Sequence, residues 1–281
     1  MGGKFENLII VTDMDGTYVA KNDGGDARNR ESIEYFKANG GHFTFATGRN
    51  IRQVFHSVPD AEDVVNLPII CSNGAYLYDL KSDRELAGYT MTPEDVITVV
   101  EKFNELSVLS ECRGAGTEKN IACKRSDLTE KDSMEYLSSE FDKSILEIRS
   151  MDEWKDYRIY KCVFHGEAEA TTAIREKMDP IFKDKFSIVQ ASTHYYEYHA
   201  KGVSKGSMIS EMMKLIFGDR KMTLCVAGDF DNDVEMLKRA DIAVCPENAS
   251  DPVKAICHMQ MCHHSKGLMG DLVEYLDKNY K

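Results

Sequence analysis

Short apolar runs alternate with helical patterns along roughly the first 80 residues of the chain. The runs predict strands at residues 8–12, 42–46 and 67–71, and the patterns between them predict helices at about 30–38 and 51–58. The alternation returns after Gly202, with helices predicted at about 205–217, 231–239 and 268–279 and strands at 223–227 and 242–244. Strands that alternate with helices indicate a parallel sheet covered on both faces.

The middle of the chain has a different pattern. Residues 75–79 and 85–90 alternate as in a β-hairpin, and Thr92-Pro93 is a typical helix start. Further strands are predicted near Ile121 and at 159–164 and 186–190, with helices near Ser133 and Ala170. We therefore predict an α/β domain formed by residues 1–82 and 193–281, interrupted by an inserted α+β domain at 83–192.

Composition narrows the choice of partners. The chain has 281 residues, 42% of them hydrophobic, which is enough to bury a sizeable core. Its formal net charge of −12 argues against nucleic acid or an anionic membrane as the main partner. No apolar run approaches the roughly 20 residues that cross a bilayer. Eight cysteines without an apolar export signal are typical of reduced thiols, so we expect a cytoplasmic protein.

Two carboxylates follow the first predicted strand. Asp13 and Asp15 lie two residues apart on an extended segment, so both side chains can face one ligand. The carboxyl end of a strand is also where open α/β sheets bind ligands. One carboxylate can attack phosphorus while the other handles a proton. Alone the motif is a weak indication, because Asp15-Gly16 is also an ordinary turn signal.

A second acidic cluster, Asp229-Phe230-Asp231-Asn232-Asp233, follows a later predicted strand. Carboxylates crowded at a strand end repel one another unless a cation or hydrogen bonds compensate, which favours a metal site. A calcium loop of the EF-hand type is excluded, because Val234 replaces its turn glycine and Ala240 its bidentate glutamate. A helix N-cap with an acidic first turn is the structural alternative.

Two further segments have the features of an anion site. Thr47-Gly48-Arg49 combines a hydroxyl, an unhindered amide and a predicted helix N-terminus, although an ordinary cap and turn has the same residues. Lys205 begins a predicted helix, where its positive charge opposes the helix dipole. This placement favours an anionic partner, although a solvated surface lysine is the commoner case.

Taken together, the four segments supply two acids, a metal site, a hydroxyl and a lysine, which phosphoryl transfer requires. In this order they resemble the haloacid dehalogenase-like hydrolase superfamily. Its four motifs match at Asp13–Thr17, Thr47, Lys205 and Gly228–Asp233. The Ser72-Asn73-Gly74-Ala75 run and the long insert resemble its Cof-type branch with a class IIB cap.

The resemblance implies a Rossmann-like, doubly wound parallel core with an α+β cap domain that selects the leaving group. It also implies that Asp13 forms an aspartyl-phosphate and that Asp15 serves as general acid and base. Mg²⁺ is expected on the carboxylates of Asp13 and Asp229 and on the backbone carbonyl of Asp15. The residues expected to hold the phosphate are Thr47, Gly48, Lys205 and Asn232, supported by Arg49 and Asp233.

We therefore expect a magnesium-dependent phosphatase acting on a small phosphorylated metabolite, such as a sugar phosphate or a phosphorylated cofactor. A phosphomutase of sugar phosphates and a non-catalytic phosphate-ligand sensor are the alternatives. Retention of both Asp13 and Asp15 counts against the sensor. The chain departs from the family pattern at Tyr18-Val19 and at Cys245-Pro246-Glu247. Neither segment contains a residue that is expected to take part in the reaction.

Overall fold

The computed structural model describes residues 3–20, 25–105, 110–114, 120–123, 146–149, 158–165, 168–191 and 195–280. The strands in this part of the chain are β1 (Leu8–Thr12), β2 (His42–Phe45), β3 (Ile69–Cys71), β4 (Tyr76–Asp79), β5 (Arg84–Gly88), β6 (Ser110–Gly114), β7 (Asn120–Cys123), β8 (Leu146–Arg149), β9 (Ile159–His165), β10 (Phe186–Gln190), β11 (Tyr195–Ala200), β12 (Thr223–Ala227), β13 (Ile242–Cys245) and β14 (Met259–Gln260). The helices are α1 (Gly25–Ala38), α2 (Ile51–Ser57), α3 (Ala61–Val64), α4 (Pro93–Glu105), α5 (Ala168–Phe182), α6 (Lys205–Phe217), α7 (Val234–Lys238), α8 (Asp251–Lys254) and α9 (Leu268–Asn279). The helix predicted near Ser133 lies outside the described residues. Among the described residues, no helix has both the length and the apolar character of a membrane span.

These elements form two compact units, residues 1–88 with 204–281 and residues 89–203. The sequence-based boundaries, after 82 and after 192, fall earlier in the chain. The first unit continues to Gly88 because β5 pairs with β4, and the second continues to Val203 because β11 pairs with β9 and β10. The division into separate folding domains stays a prediction.

A five-stranded parallel sheet with the order β14-β13-β12-β1-β2 is the centre of the first unit. Every residue of β1 is buried, as expected of a central strand covered on both faces. Ile9 and Val11 belong to an apolar cluster with residues of α6 and α7, among them Met212 and Leu237. The predicted α/β fold, a parallel sheet flanked by helices, is confirmed.

Strand β3 has the direction that the alternation of strands and helices predicts, because it meets the parallel sheet through a parallel bridge between Ala46 and Ile70. Its pairing on the other side was not predicted, since β3 pairs antiparallel with β4. The predicted hairpin is present, with β4 paired antiparallel with β5. Parallel pairing of β3 with β4 would need a crossover of a dozen or more residues. Instead Ser72, Asn73 and Gly74 turn the chain back at once, with φ values of 47°, 55° and 92°.

The second unit contains a six-stranded sheet with the order β10-β11-β9-β6-β7-β8. Phe103 of α4 and Phe182 of α5 pack in one apolar cluster with Phe186 and Tyr198. The ring of Tyr198 lies edge-on to those of Phe103, Phe182 and Phe186, at centroid distances of 5.8, 5.7 and 6.3 Å. Edge-to-face pairs add stability beyond the area that they bury, so this cluster is the core of the unit.

A buried ionic group lies on β9 and β11 of the second unit. The ammonium of Lys161 donates to Glu197 Oε1 at 2.7 Å, and His199 Nε2 lies 3.0 Å from Glu197 Oε2. Burial alone would raise the pKa of Glu197, but Lys161 and His199 outweigh it and hold the pKa well below its ordinary value. Burial lowers the pKa of His199, so the group consists of one ammonium, one carboxylate and a neutral imidazole at pH 7.

We expect Glu197→Gln to lower the free energy of unfolding by about 3–5 kcal/mol, because Lys161 then stays buried without this carboxylate. Urea unfolding at pH 7 measures the change. The exposed Glu169 on α5 provides the control, and Glu169→Gln is expected to change stability by less than about 0.5 kcal/mol. Equal midpoints for the Glu197 variant and the parent would contradict the expectation.

The same pair predicts a pH dependence of stability. The folded pKa of Glu197 lies below its ordinary value of 4.5, so the carboxylate stabilises the fold above that pH. This contribution is lost as the pH falls through the folded pKa. The stability difference between the parent and Glu197→Gln is therefore expected to shrink in acid.

Candidate active site

The end of β1 places Asp13 at the carboxyl edge of the parallel sheet. Its backbone N–H donates to the carbonyl of Ala227, the last residue of β12, at 2.9 Å. The chain then turns at Gly16, whose φ is 79°. A Cβ atom at this position would lie 2.5 Å from Asp229 Oδ2. Glycine is therefore required here by both the left-handed backbone and the close approach of the second acidic segment.

Lys205 forms hydrogen bonds to both acidic segments, the one that begins at Asp13 and the one that ends at Asp233. Its Nζ atom donates to Asp13 Oδ1 and to Asp233 Oδ1, each at 2.6 Å, and all three side chains are buried. Ser204 caps α6 by accepting a hydrogen bond from the N–H of Ser207, so Lys205 is the first residue of that helix. Burial alone would lower the pKa of Lys205, but Asp13 and Asp233 outweigh it and raise the pKa, so the ammonium is retained.

The second carboxylate oxygen of Asp233 is held by the backbone. It accepts hydrogen bonds from the N–H of Asp229 at 2.9 Å and from the N–H of Phe230 at 3.1 Å. Both oxygens of Asp233 are therefore occupied by groups of the protein. No hydrogen bond from a described residue reaches Oδ2 of Asp13 or Oδ2 of Asp229, which leaves these two oxygens for a ligand.

The carboxylates of Asp13, Asp229 and Asp233 form a cluster that can hold a metal ion, with oxygens all within 4.8 Å of one another. Burial, followed by the charge of Asp233, raises the pKa of Asp229 to about 7. Burial also raises the pKa of Asp13 well above its ordinary value, against the attraction of Lys205. Crowded carboxylates of this kind fit a divalent cation with oxygen ligands, because the cation offsets their repulsion.

Asp15 lies apart from this cluster. Its two carboxylate oxygens accept hydrogen bonds from Nε and Nη2 of Arg49, at 2.7 and 2.6 Å. The Asp15 side chain is 58% exposed. Two parallel hydrogen bonds fix the plane of a carboxylate as well as its position. The structure thus places the second acid of the first motif on the solvent side, in a defined orientation.

The Thr47-Gly48 segment follows β2. Thr47 is buried, its N–H donates to the carbonyl of Ile70, and its Oγ1 accepts from the N–H of Arg49 at 3.1 Å. Asn50 caps α2 in a reciprocal capping box with Gln53. The oxygen of the Thr47 hydroxyl is therefore held in place while its hydrogen can be donated to a ligand.

Three residues that contact the predicted site were not themselves predicted as site residues, namely Thr17, Asn73 and Asn248. Asn232 donates its amide to Asn73 Oδ1 at 3.0 Å, and Thr17 donates its hydroxyl to Asp229 Oδ1 at 2.7 Å. Asn248 donates its amide to the carbonyl of Gly16 at 2.8 Å. The Ser72–Ala75 run contains turn-forming residues, but a hydrogen bond across 159 positions has no local signal.

The chain is similar in sequence to known hydrolases and phosphatases. Residues 10–268 match a family model described as haloacid dehalogenase-like hydrolase. A relative from Mycoplasma pneumoniae, whose name contains the word phosphatase, is 27% identical over 266 residues, which cover 90% of each chain. The 5-amino-6-(5-phospho-D-ribitylamino)uracil phosphatase of Bacillus subtilis is 23% identical over 258 residues, covering 89% of this chain and 90% of the relative.

Solved structures show the same fold. A HAD/COF-like protein of Plasmodium vivax superposes with a TM-score of 0.81 and 19% identity, over 99% of this chain and 97% of that one. A sugar phosphatase of HAD subclass IIB superposes with a TM-score of 0.76 and 18% identity, over 96% of this chain and 99% of that one.

Proposed function

Because the chain belongs to the haloacid dehalogenase-like hydrolase family, we propose that it hydrolyses a small phosphomonoester with Asp13 as the nucleophile. The resemblance predicted from four short motifs is confirmed, and the chain is a phosphatase of this family. One observation carries the nucleophile assignment. Asp13 is buried at the strand end with Oδ1 bound to the Lys205 ammonium, while Oδ2 stays open.

In the first step Oδ2 of Asp13 attacks phosphorus, and the bond from phosphorus to the leaving oxygen breaks. The product is an aspartyl-phosphate and an alcohol. Asp15 donates the proton that the leaving oxygen takes up, and then removes a proton from the water that attacks the aspartyl-phosphate. Free phosphate and the original Asp13 carboxylate result. Asp15 follows the buried Asp13 by two residues and is exposed, which supports its assignment as the group that exchanges protons.

Donors for the phosphate oxygens come from three segments of the first unit. We assign this role to the hydroxyl of Thr47, the N–H of Gly48, the ammonium of Lys205 and the amide of Asn232. Lys205 also balances the negative charge of Asp13, which would otherwise repel an approaching phosphate. Arg49 supports the site by orienting Asp15.

The acidic cluster supports Mg²⁺ as the cation. Asp13 and Asp229 would hold it through their carboxylates and Asp15 through its backbone carbonyl. When bound, Mg²⁺ supplies positive charge that offsets the charge of the carboxylates and of the phosphate. Asp233 would act beside the ion, because its oxygens are already bound by Lys205 and by two backbone N–H groups.

We propose a sugar phosphate or a phosphorylated cofactor as the substrate. The name of one relative specifies a phosphorylated ribitylaminouracil, and that of one structural neighbour specifies sugar phosphates. Both substrate classes place a phosphate on a polyhydroxylated carbon chain. The chain has a net charge of −12 and repels an anion at long range, so attraction for such a substrate has to come from local positive charge. The bound cation and Lys205 would supply it.

The direct test is a panel of sugar phosphates and phosphorylated cofactors assayed for free phosphate after the metal has been removed with a chelator. We expect no turnover in the metal-free protein and recovery on addition of Mg²⁺. Isomerised sugar phosphate without free phosphate would replace the proposal with a phosphomutase. Ligand binding without any turnover across the panel would replace it with a sensor.

A further inference from the structure

Three consecutive residues, Ser72, Asn73 and Gly74, have positive φ values of 47°, 55° and 92°. Non-glycine residues rarely adopt this conformation, and asparagine is among those that tolerate it best. Ser72 and Asn73 are buried, with exposed fractions of 2% and 1%. Strained backbone of this kind persists where the surrounding structure requires it, and it clusters at functional sites.

Asn73 contacts two of the segments whose residues we propose as donors to the phosphate. Its side-chain oxygen accepts the amide N–H of Asn232 at 3.0 Å. Its backbone N–H donates to the carbonyl of Thr47 at 2.8 Å. A Cβ atom added to Gly48 would lie 3.2 Å from Asn73 Nδ2, so the Asn73 amide packs directly against Gly48.

Gly74 adds a contact to a third segment. A Cβ atom at Gly74 would lie 1.9 Å from the carbonyl oxygen of Ser204, the residue that precedes Lys205. The turn therefore packs against the loop after β2, the start of α6 and the loop after β12 at once. Chain segments that are far apart in the sequence meet at Asn73 and its neighbour.

We propose that Asn73 is a positioning residue for phosphate binding, an inference that rests on the proposed function. The amide of Asn232 has two hydrogens, and the bond to Asn73 uses one of them. This bond fixes the plane of the Asn232 amide. The second hydrogen of that amide, which we assign to the phosphate, is therefore held in one direction before any ligand binds. Preorganised donors bind more tightly than donors that must first be ordered.

The test uses Asn73→Gly, because glycine adopts the left-handed backbone without strain while removing the amide. The Ki of inorganic phosphate and the KM for p-nitrophenyl phosphate are each expected to rise about tenfold, the effect of one hydrogen bond to a charged group. The kcat is expected to change less than these two constants. Unchanged Ki and KM in a folded variant would overturn the inference.

The matched control is Asn66→Gly. Asn66 also bridges neighbouring segments of the first unit, accepting from the N–H of Phe43 and donating to the carbonyl of Gly41. Its bonds lie at the amino end of β2, away from the carboxyl edge. Asn66→Gly is expected to lower Tm without changing the Ki of phosphate. An equal rise of Ki in this control would show a general effect of destabilisation and overturn the inference.

A double-mutant cycle separates action through Asn232 from independent action. The double variant of Asn73→Gly with Asn232→Ala is expected to have the same Ki as Asn232→Ala alone, within about twofold. Additive effects would overturn the inference. If Asn73→Gly does not fold, Asn73→Ser replaces it with the same expectation. Absence of phosphate release by the parent protein itself would instead reject the proposed function.

Discussion

Replacing Asp13 by Asn is expected to lower kcat for phosphate release by a factor on the order of 10⁴ or more, as the loss of a nucleophile does elsewhere. Asn has the shape of Asp but lacks the carboxylate to which we assign the attack on phosphorus. Lys205 keeps Asp233 as a partner at 2.6 Å, so the buried ammonium is not left unpaired. Burial already disfavours the Asp13 carboxylate. The variant is therefore expected to fold with a Tm close to that of the parent.

Acid quenching of a single turnover followed by peptide mass spectrometry tests this expectation chemically. The parent is expected to yield a peptide with one phosphoryl group at Asp13, and the variant none. Asp231→Asn is the matched control, because Asp231 is exposed and lies in the same loop as Asp229. It is expected to stay within about twofold of the parent. Retention of more than about one per cent of the parent rate by Asp13→Asn would remove Asp13 from the nucleophile role.

Asp15→Asn is expected to lower kcat by about 10²- to 10⁴-fold, the range of general acid–base catalysis. The amide neither protonates the leaving oxygen nor removes a proton from water. Substrates with a good leaving group need little help in the first step, so the aspartyl-phosphate is expected to accumulate with p-nitrophenyl phosphate. Arg49, which holds Asp15 at 2.6 and 2.7 Å, can still bond the amide oxygen.

The accumulated intermediate provides the readout. The acid-quenched Asp15→Asn variant is expected to give more phosphopeptide than the parent. The double variant with Asp13→Asn is expected to give none, which identifies the modified residue. Normal turnover by Asp15→Asn would exclude it as the general acid and base.

The central strands were predictable because burial on both faces requires continuous apolar runs. Leu8 to Val11 is such a run, and all five residues of β1 are buried. The acidic segments were predictable for a related reason, since Asp13 and Asp229 follow two strands that pair in parallel and so end at one edge.

What escaped prediction depends on contacts between distant residues. The antiparallel pairing of β3 follows from the three positive φ values after it, which no periodic pattern indicates. The turn of Asp15 toward Arg49 depends on the packing of two loops. The role of Asn73 as an acceptor for Asn232 depends on tertiary contacts that only the folded chain forms.

The placement of β1 between β2 and β12 has a consequence for biosynthesis. Asp13 bonds to Ala227, so one wall of the site is translated long after the other. At 5–20 residues per second, the ribosome needs about 10–40 s to pass from one to the other. During this time β1, four of whose five residues are apolar, has an unpaired edge, which is an aggregation hazard that chaperones would have to cover. The surroundings of Asp13 are therefore complete only after Ala227 has been translated.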